Sequence, residues 1–148
     1  MKKNFLLACL ISAVFAAPAG AWELWDQFKA TNLTPEGRVV DYSEAKLITT
    51  SEGQSYGMFF ALVANDKKAF DEMFAWTEKN LGENQPAWLW GIPDGKPNGT
   101  GKILDTNNAT DSDMWIAYCL IEAAASGMIL LPSEADGYLA KPLKSSDS

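Results

Sequence analysis

Two short runs of the sequence place carboxylates beside aromatic and small polar residues. The first is Thr-Ser-Glu-Gly-Gln-Ser-Tyr-Gly-Met at residues 50–58, and the second is Ala-Thr-Asp-Ser-Asp-Met-Trp at residues 109–115. The chain contains no histidine, which excludes a Ser-His-Asp triad, a Cys-His pair and a histidine-ligated zinc ion. Acid and base chemistry therefore falls to aspartate and glutamate. Pairs of such carboxyl groups are what glycoside hydrolysis requires.

The first residues have the composition of an export signal. Two lysines near the start are followed by an apolar stretch over residues 5–16 and by Ala-Gly-Ala at residues 19–21, a pattern that signal peptidase cleaves. We predict that residues 1–21 are a signal peptide, that the mature chain begins at Trp22, and that the protein is periplasmic or secreted. The apolar stretch is shorter than the roughly 20 residues that span a bilayer, and no membrane anchor is expected.

The balance of charges disfavours polyanionic ligands. The chain has 19 acidic and 12 basic residues and a formal net charge of −7, which repels phosphate backbones and anionic lipid surfaces. We therefore expect a neutral ligand, with no nucleic-acid binding. Cys9 lies in the predicted signal peptide, so Cys119 has no partner for an internal disulfide. Its apolar neighbours predict a small buried side chain.

The remaining sequence predicts an all-α chain, because no segment alternates convincingly between apolar and polar residues. Asn65 and Asp66 are expected to end one helix and cap the next, and Thr110 with Asp113 resembles a capping box. A Pro/Gly/Trp-rich stretch at residues 82–108 is predicted to form a long surface loop. The first predicted helix covers residues 22 to about 30, and a short one starts at Ser43. A third opens at Ser51 or Glu52 and continues through Val63, a fourth follows Asp66 and includes residues 70–81, and a fifth runs from Thr110 to Ser126-Gly127.

Three ordered motifs carry a resemblance to a known family. They are residues 49–58 with Glu52, Pro-Ala-Trp-Leu-Trp-Gly at residues 86–91, and Ala-Thr-Asp-Ser-Asp at residues 109–113. In this order they resemble the amino-terminal part of glycoside hydrolase family 8, over roughly residues 22–125. The resemblance is strongest to the members encoded with bacterial cellulose synthase. It implies an inverting endo-β-1,4-glucanase, a cellulase, on an (α/α)6 barrel of helical hairpins that is incomplete here.

The resemblance also implies roles for single residues. Glu52 would be the general acid that protonates the leaving glycosidic oxygen, and Asp111 would hydrogen-bond the sugar ring distorted at the cleavage point. Tyr56, one turn after Glu52, is a candidate for lining the same cleft and binding substrate. Each carboxylate also fits an ordinary charge in the first turn of a helix, and Asp113 is taken as structural.

The tryptophans divide into two groups. Trp88 and Trp90 lie in the predicted loop, where an exposed indole offers a flat apolar face to a glucose ring. We expect Trp90 to be such a platform for substrate, with Trp88 buried beside it. The other tryptophans on helical faces are expected to pack in the core, and they are Trp25, Trp76 and Trp115.

The chain departs from the family pattern in one respect. Family members take their catalytic base, an aspartate, from a segment beyond the last residue here, so no catalytic base is expected in this chain. A barrel of twelve helices needs well over ~200 residues. We therefore expect a truncated copy, in which residues 22–126 form the amino-terminal part of the catalytic domain. Residues 127–148 would be a divergent, disordered tail.

The expected ligand is a β-glucan, either cellulose or its oligosaccharides, and cellulose-synthesis machinery is an expected partner. No cofactor and no metal ion are expected. One alternative is a non-catalytic glucan-binding accessory protein of cellulose export, which would bind glucan without releasing reducing ends. Another is an unrelated exported helical domain, which would do neither.

Overall fold

The computed structural model describes residues 19–83, 85–96 and 98–128. In chain order these form α1 (Ala19–Asn32), β1 (Thr49–Thr50), α2 (Ser51–Val63), α3 (Lys67–Leu81), β2 (Ala87–Gly91), β3 (Lys102–Asn108) and α4 (Thr110–Ala125). No helix in these ranges has the length and apolar character needed to cross a membrane. Most of the predicted signal peptide and nearly all of the predicted tail lie outside the described residues.

Local chemistry defines the hairpin of α2 and α3. The hydroxyl of Thr50, in extended backbone, caps α2 by accepting a hydrogen bond from the Gly53 N–H at 3.0 Å. Asn65 turns the chain with a φ of 53°, a conformation that asparagine tolerates. The Asp66 carboxylate then caps α3 by accepting from the Ala69 N–H at 3.1 Å. The predicted stop and cap at this point are confirmed.

Asp66 also holds α1 against this hairpin. Its Oδ2 atom accepts hydrogen bonds from Trp25 Nε1 at 3.1 Å and from Lys29 Nζ at 2.9 Å. Burial raises the pKa of Asp66, but the hydrogen bonds from Lys29, the Ala69 N–H and Trp25 outweigh burial and leave that pKa below its usual value. Trp25 is buried, as is Trp76 in α3, which confirms the core packing expected of both.

The core lies between α2, α3 and α4. Cys119 is fully buried there, as predicted, and burial raises the pKa of its thiol to about 12. The thiol is therefore not a reactive nucleophile at neutral pH. The largest apolar side chains enclosed with it are Met58, Phe70, Met73, Ile116 and Leu120.

A small sheet corrects the all-α expectation. β2 pairs antiparallel with β1 on one side and with β3 on the other, so residues 82–108 are not a continuous surface loop. The register between β2 and β3 shifts on both sides of Leu89. Such a bulge breaks the alternation that would have indicated strands. The predicted helix from Ser43 is also wrong, because Asp41 pairs with Ile48 across a tight turn.

The sheet sets the direction of two helices. β1 and β3 are both antiparallel to β2 and therefore run the same way. β1 leads directly into α2, and β3 leads into α4 after a single residue. Both helices consequently start at the same edge of the sheet, and they pack against each other along their length.

A buried amide connects the loop before the sheet to two helices. Gln54, in α2, is fully enclosed, and its Oε1 atom accepts from the Val39 N–H at 2.6 Å. Its Nε2 group has two protons for three acceptors, the carbonyls of Gly37 and Met73, both at 3.1 Å, and Thr77 Oγ1 at 2.9 Å, so one proton is shared between two of them. Every polar atom of this side chain is thus satisfied by groups that are themselves buried or partly buried.

Replacement of Gln54 tests this connection. Gln54→Leu keeps the size of the side chain but leaves the Val39 N–H and the Gly37 carbonyl without their partner, and each orphaned buried group costs about 1–3 kcal/mol. We expect the free energy of unfolding, measured by urea denaturation, to fall by about 2–4 kcal/mol. The matched control Gln27→Leu, on the exposed side of α1, should change it by less than about 0.5 kcal/mol. Equal effects of the two variants would contradict this prediction.

Candidate active site

Glu52 and Asp111 lie at corresponding places in two adjacent helices. Each is the second residue of its helix, Glu52 in α2 and Asp111 in α4, and the sheet brings both helix starts to one edge. Tyr56 lies close to both carboxylates. The charge of Glu52 is the largest cause of a raised pKa of the Tyr56 phenol, and partial removal from water and the charge of Asp111 add to it. The structure thus brings together three of the predicted site residues.

An open cavity of ≈ 390 Å³ lies beside Asp111 and between aromatic rings. Its other lining residues are Phe59, Met114, Trp115 and Tyr118. The Trp115 ring meets Phe59 at 5.2 Å and Tyr118 at 5.7 Å between centroids, both edge to face. Trp115 is only half-buried, so the expectation that it packs in the core is wrong. Its position four residues after Asp111, on the same helical face, is the sequence signal that would have placed it here.

Trp90 lies in β2 rather than in an exposed loop. It is half-buried, as is Trp88, which was expected to be buried. The Arg38 guanidinium lies 4.2 Å from the Trp90 ring centroid, and the Trp76 ring meets it edge-on at 5.5 Å. The backbone of Gly101 lies directly against the indole, since a Cβ there would come within 1.8 Å of it. These contacts occupy much of the ring, and its role as a glucan platform stays a prediction.

Arg38 is the residue of this region that sequence reasoning missed. Its Nε donates to Thr49 Oγ1 at 2.8 Å, and its Nη2 donates to the Leu47 carbonyl. Burial lowers the pKa of its guanidinium. Because the same side chain stacks on Trp90, it attaches β2 to the segment that leads into Glu52. A lone arginine in a loop gave no sequence signal for this contact.

α4 begins without a side-chain cap, and the predicted capping box is wrong. The residue at the cap position is Ala109, and Thr110 is already helical. Asp113 instead accepts a hydrogen bond from the Asn108 side-chain amide at 2.8 Å, which links β3 to α4. Burial raises the pKa of Asp113, the Asn108 bond opposes this, and the charge of Asp111 adds to the increase. The Oδ1 atom of Asp113 is buried and accepts no hydrogen bond from a described residue.

The buried charge of Asp113 predicts a dependence of stability on pH. The folded chain holds this proton more tightly than the unfolded chain, so ionisation destabilises the fold. This free-energy penalty of ionising Asp113 is absent below the pKa of Asp113 in the unfolded chain, near 3.8. It is complete above the raised pKa of Asp113 in the folded chain. Asp113→Asn removes it, so the free energy of unfolding of this variant relative to wild type should rise from about pH 4 to about pH 7. Urea denaturation at each pH measures the difference, and a constant difference would contradict the prediction.

Carboxylates beside aromatic rings are a combination that can bind a carbohydrate. Carboxyl groups can exchange a proton with an oxygen of a ligand, and carboxylates can accept hydrogen bonds from its hydroxyl groups. The aromatic lining offers apolar faces to a sugar ring. Within residues 19–83, 85–96 and 98–128, no three His, Cys, Asp or Glu side chains gather closely enough to hold a metal ion.

Comparison with known sequences identifies the family. The model of the glycosyl hydrolases family 8 matches residues 2–126, and the chain belongs to this family, as its motifs predicted. It is 50% identical over 127 residues to an endoglucanase of Escherichia coli O157:H7, a match that covers 82% of this chain and 34% of that protein. It is 47% identical over 123 residues to an endoglucanase of Xanthomonas axonopodis pv. citri, covering 78% and 31% of the two chains.

Solved structures agree with this assignment. The endo-1,4-D-glucanase from Vibrio fischeri ES114 superposes with a TM-score of 0.70 at 49% identity, over 80% of this chain and 35% of that one. A family 8 endo-β-1,4-glucanase from an Achatina fulica gut metagenomic library superposes with a TM-score of 0.71 at 32% identity, over 87% and 40%. The chain therefore has the fold of part of a family 8 enzyme. It spans about a third of the length of the curated relatives that it matches.

Proposed function

We propose that this chain forms the part of an inverting endo-β-1,4-glucanase that supplies the general acid. The convergence of Glu52 and Asp111 at the starts of two adjacent helices is the observation that carries the proposal. Glu52 would give its proton to the glycosidic oxygen as the bond to the sugar carbon breaks. Asp111, beside the aromatic cavity, would hold the hydroxyl groups of the distorted sugar.

The proposed mechanism needs one further group. Inversion requires a second catalytic carboxylate about 6.5–9.5 Å from the acid, with the attacking water between them. Asp111 is assigned here to the sugar rather than to the water. The base would come from the two thirds of the relatives' length that this chain does not span.

The exposed sides of α2 and α4 support a place for this chain within a larger (α/α)6 barrel. Apolar side chains on these two helices remain well exposed, whereas those on the opposite sides form the core. Several exposed apolar side chains on neighbouring helices are typical of a face that packs against further protein. The exposed apolar residues of α2 and α4 that lie outside the cavity lining and the candidate site are Phe60, Val63 and Ile121.

The proposed substrate is a neutral β-1,4-glucan, cellulose or its oligosaccharides. The net charge of −7 disfavours anionic polymers, the cavity lining is mostly aromatic, and the relatives are named endoglucanases. We also propose that the protein works beside cellulose-synthesis machinery, on the resemblance of its motifs alone. Copurification with those components would test that association, and its absence would remove it.

A chimaera tests the catalytic proposal. Residues 22–126 of this chain would replace the matching segment of the Escherichia coli O157:H7 endoglucanase, and reducing ends released from hydroxyethylcellulose, a soluble and uncharged cellulose derivative, would be measured. Glu52→Gln keeps the shape of the side chain but cannot supply the proton, so we expect kcat to fall by about 10²- to 10⁴-fold. Binding of cello-oligosaccharides should remain.

The control for the chimaera is Glu122→Gln, which removes an exposed carboxylate from the later part of α4. We expect this variant to hydrolyse hydroxyethylcellulose at the parent rate. If Glu52→Gln also retained that rate, Glu52 would have no part in the mechanism. If the chimaera bound cello-oligosaccharides but released no reducing ends, the non-catalytic accessory role would be favoured instead.

We propose that the protein is exported, on the composition of residues 1–21. Cleavage by signal peptidase should then leave Trp22 as the first residue. Mass spectrometry of protein recovered from the periplasm or the medium measures this amino terminus. A soluble cytoplasmic product that retains Met1 would contradict the proposal.

A further inference from the structure

Arg38, the only arginine among the 148 residues, contacts one residue of β1 and one of β2 that lie opposite each other. Thr49 and Trp90 are partners in the register of these two strands. The Nε group of Arg38 donates to Thr49 Oγ1 at 2.8 Å, and its guanidinium carbon lies 4.2 Å from the centroid of the Trp90 ring. Because a guanidinium is planar, it can stack on an indole and still donate hydrogen bonds at its edge. One side chain therefore joins the two strands.

The Trp90 ring gives Arg38 a fixed surface. The ring of Trp76, in α3, meets it at 5.5 Å with an angle of 76° between the planes, a geometry that aromatic pairs prefer. The backbone of Gly101 also touches the indole, since a Cβ added there would come within 1.8 Å of it. A cation over a tryptophan face is attracted by the ring. The position of Arg38 is thus tied to that of α3 as well as to the sheet.

The turn before β1 is strained, and Arg38 helps to stabilise it. Leu47 has a φ of 47°, in the left-handed region that is costly for a bulky side chain. Its N–H donates to the Glu44 carbonyl at 2.9 Å, and its own carbonyl accepts from Arg38 Nη2. On the other side, the Lys46 carbonyl accepts from the Ile92 N–H at 2.8 Å. A strained residue persists where its surroundings fix it, and here Arg38 and the end of β2 do so.

The acid follows this turn closely. Thr49 is 1% exposed, and its hydroxyl also donates to the Val39 carbonyl at 2.6 Å. The next residue, Thr50, caps α2 by accepting from the Gly53 N–H, and Glu52 is the second residue of that helix. Any shift of Thr49 would consequently shift the start of α2 and Glu52 with it.

We propose that Arg38 and Trp90 are positioning residues, whose stacked contact and bond to Thr49 fix the start of α2, and with it Glu52, against the sheet. A catalytic acid must lie within hydrogen-bond reach of the oxygen that it protonates, and a displacement of about 1 Å can lower the rate about 10²-fold. This inference rests on the proposed role of Glu52. It differs from the glucan platform that the sequence predicts for Trp90.

The first test is amide hydrogen exchange, measured by NMR on the complete chain. The Gly53 and Ala69 amides each donate to a capping side chain at a helix start, but only Gly53 belongs to the helix that follows Thr49. We expect Arg38→Met to accelerate exchange of Gly53 about tenfold, since it removes hydrogen bonds and a cation–π contact. Exchange of Ala69 should not change. Equal acceleration of both amides would indicate a general loss of stability and overturn the proposal.

The matched control is Lys46→Met, which removes a positive charge from an exposed residue of the same turn and should leave the Gly53 rate unchanged. Arg38→Lys then separates charge from shape, because lysine keeps the charge but lacks the planar group. We expect it to accelerate Gly53 exchange as Arg38→Met does. A wild-type rate in Arg38→Lys would show that charge suffices and would overturn the proposal.

The single arginine supplies a direct readout that does not require Arg38 to be replaced. Its Nε–H gives one side-chain signal of its kind, and we expect that proton to exchange more slowly than in free arginine because it is bonded to Thr49. Trp90→Leu removes the stacking surface and should accelerate exchange of both this proton and the Gly53 amide. An Nε–H that exchanges in wild type as fast as in free arginine would overturn the proposal.

The second test uses the chimaera described above. We expect Arg38→Lys and Trp90→Leu each to lower kcat on hydroxyethylcellulose by about 10- to 100-fold, with KM unchanged, because a displaced acid weakens the transition state alone. A platform role for Trp90 would instead raise KM and overturn the proposal, as would an active chimaera whose kcat does not respond. An inactive chimaera, with the selective effect on Gly53 still present in the complete chain, would remove the proposed enzyme function and leave the control of the α2 start by Arg38 and Trp90.

Discussion

The side-chain amide of Gln54 is enclosed by segments that are distant in the sequence, and its hydrogen bonds determine how α2 is turned about its own axis. Residues two positions away on a helix lie about 200° around it. With Gln54 facing the backbone of Gly37, Val39 and Met73, Glu52 must face the other way. The orientation that satisfies the buried amide is therefore also the orientation that turns Glu52 away from these groups.

The sheet limits the position of α2 and α4 along their own axes. A helix pair alone would leave the starts of α2 and α4 free to slide past each other. β2 pairs with the strands that lead into both helices, so the register of its hydrogen bonds fixes how far each helix start extends. The Arg38–Trp90 contact attaches β2 to the loop that Gln54 also holds. Polar contacts therefore contribute, together with the apolar core, to both the rotation of α2 and the position of Glu52 along its axis.

The features that sequence reasoning predicted are those with local causes. The hairpin of α2 and α3 follows from a helical pattern interrupted by Asn65 and Asp66, and the motifs around Glu52 and Asp111 indicated the family. The sheet was missed because its bulged strands are short and do not alternate. The role of Gln54 was missed for a different reason: its partners are mostly backbone groups, which carry no signal in the sequence. Trp115 was misplaced because an aromatic residue on a helix face fits a core and a cavity equally well.

The outward faces of α2 and α4 both change from polar at the helix start to apolar at the helix end. This change in polarity explains where the candidate site lies. Each face begins with a carboxylate, Glu52 or Asp111, continues with an aromatic ring that also has a polar atom, and ends with exposed apolar side chains such as Val63 and Ile121. The free N–H groups of a helix start favour negative charge at that end alone. Farther along, an apolar face gains free energy only where water is removed. A polar ligand therefore fits at the sheet edge, whereas the remainder of the same face suits contact with protein.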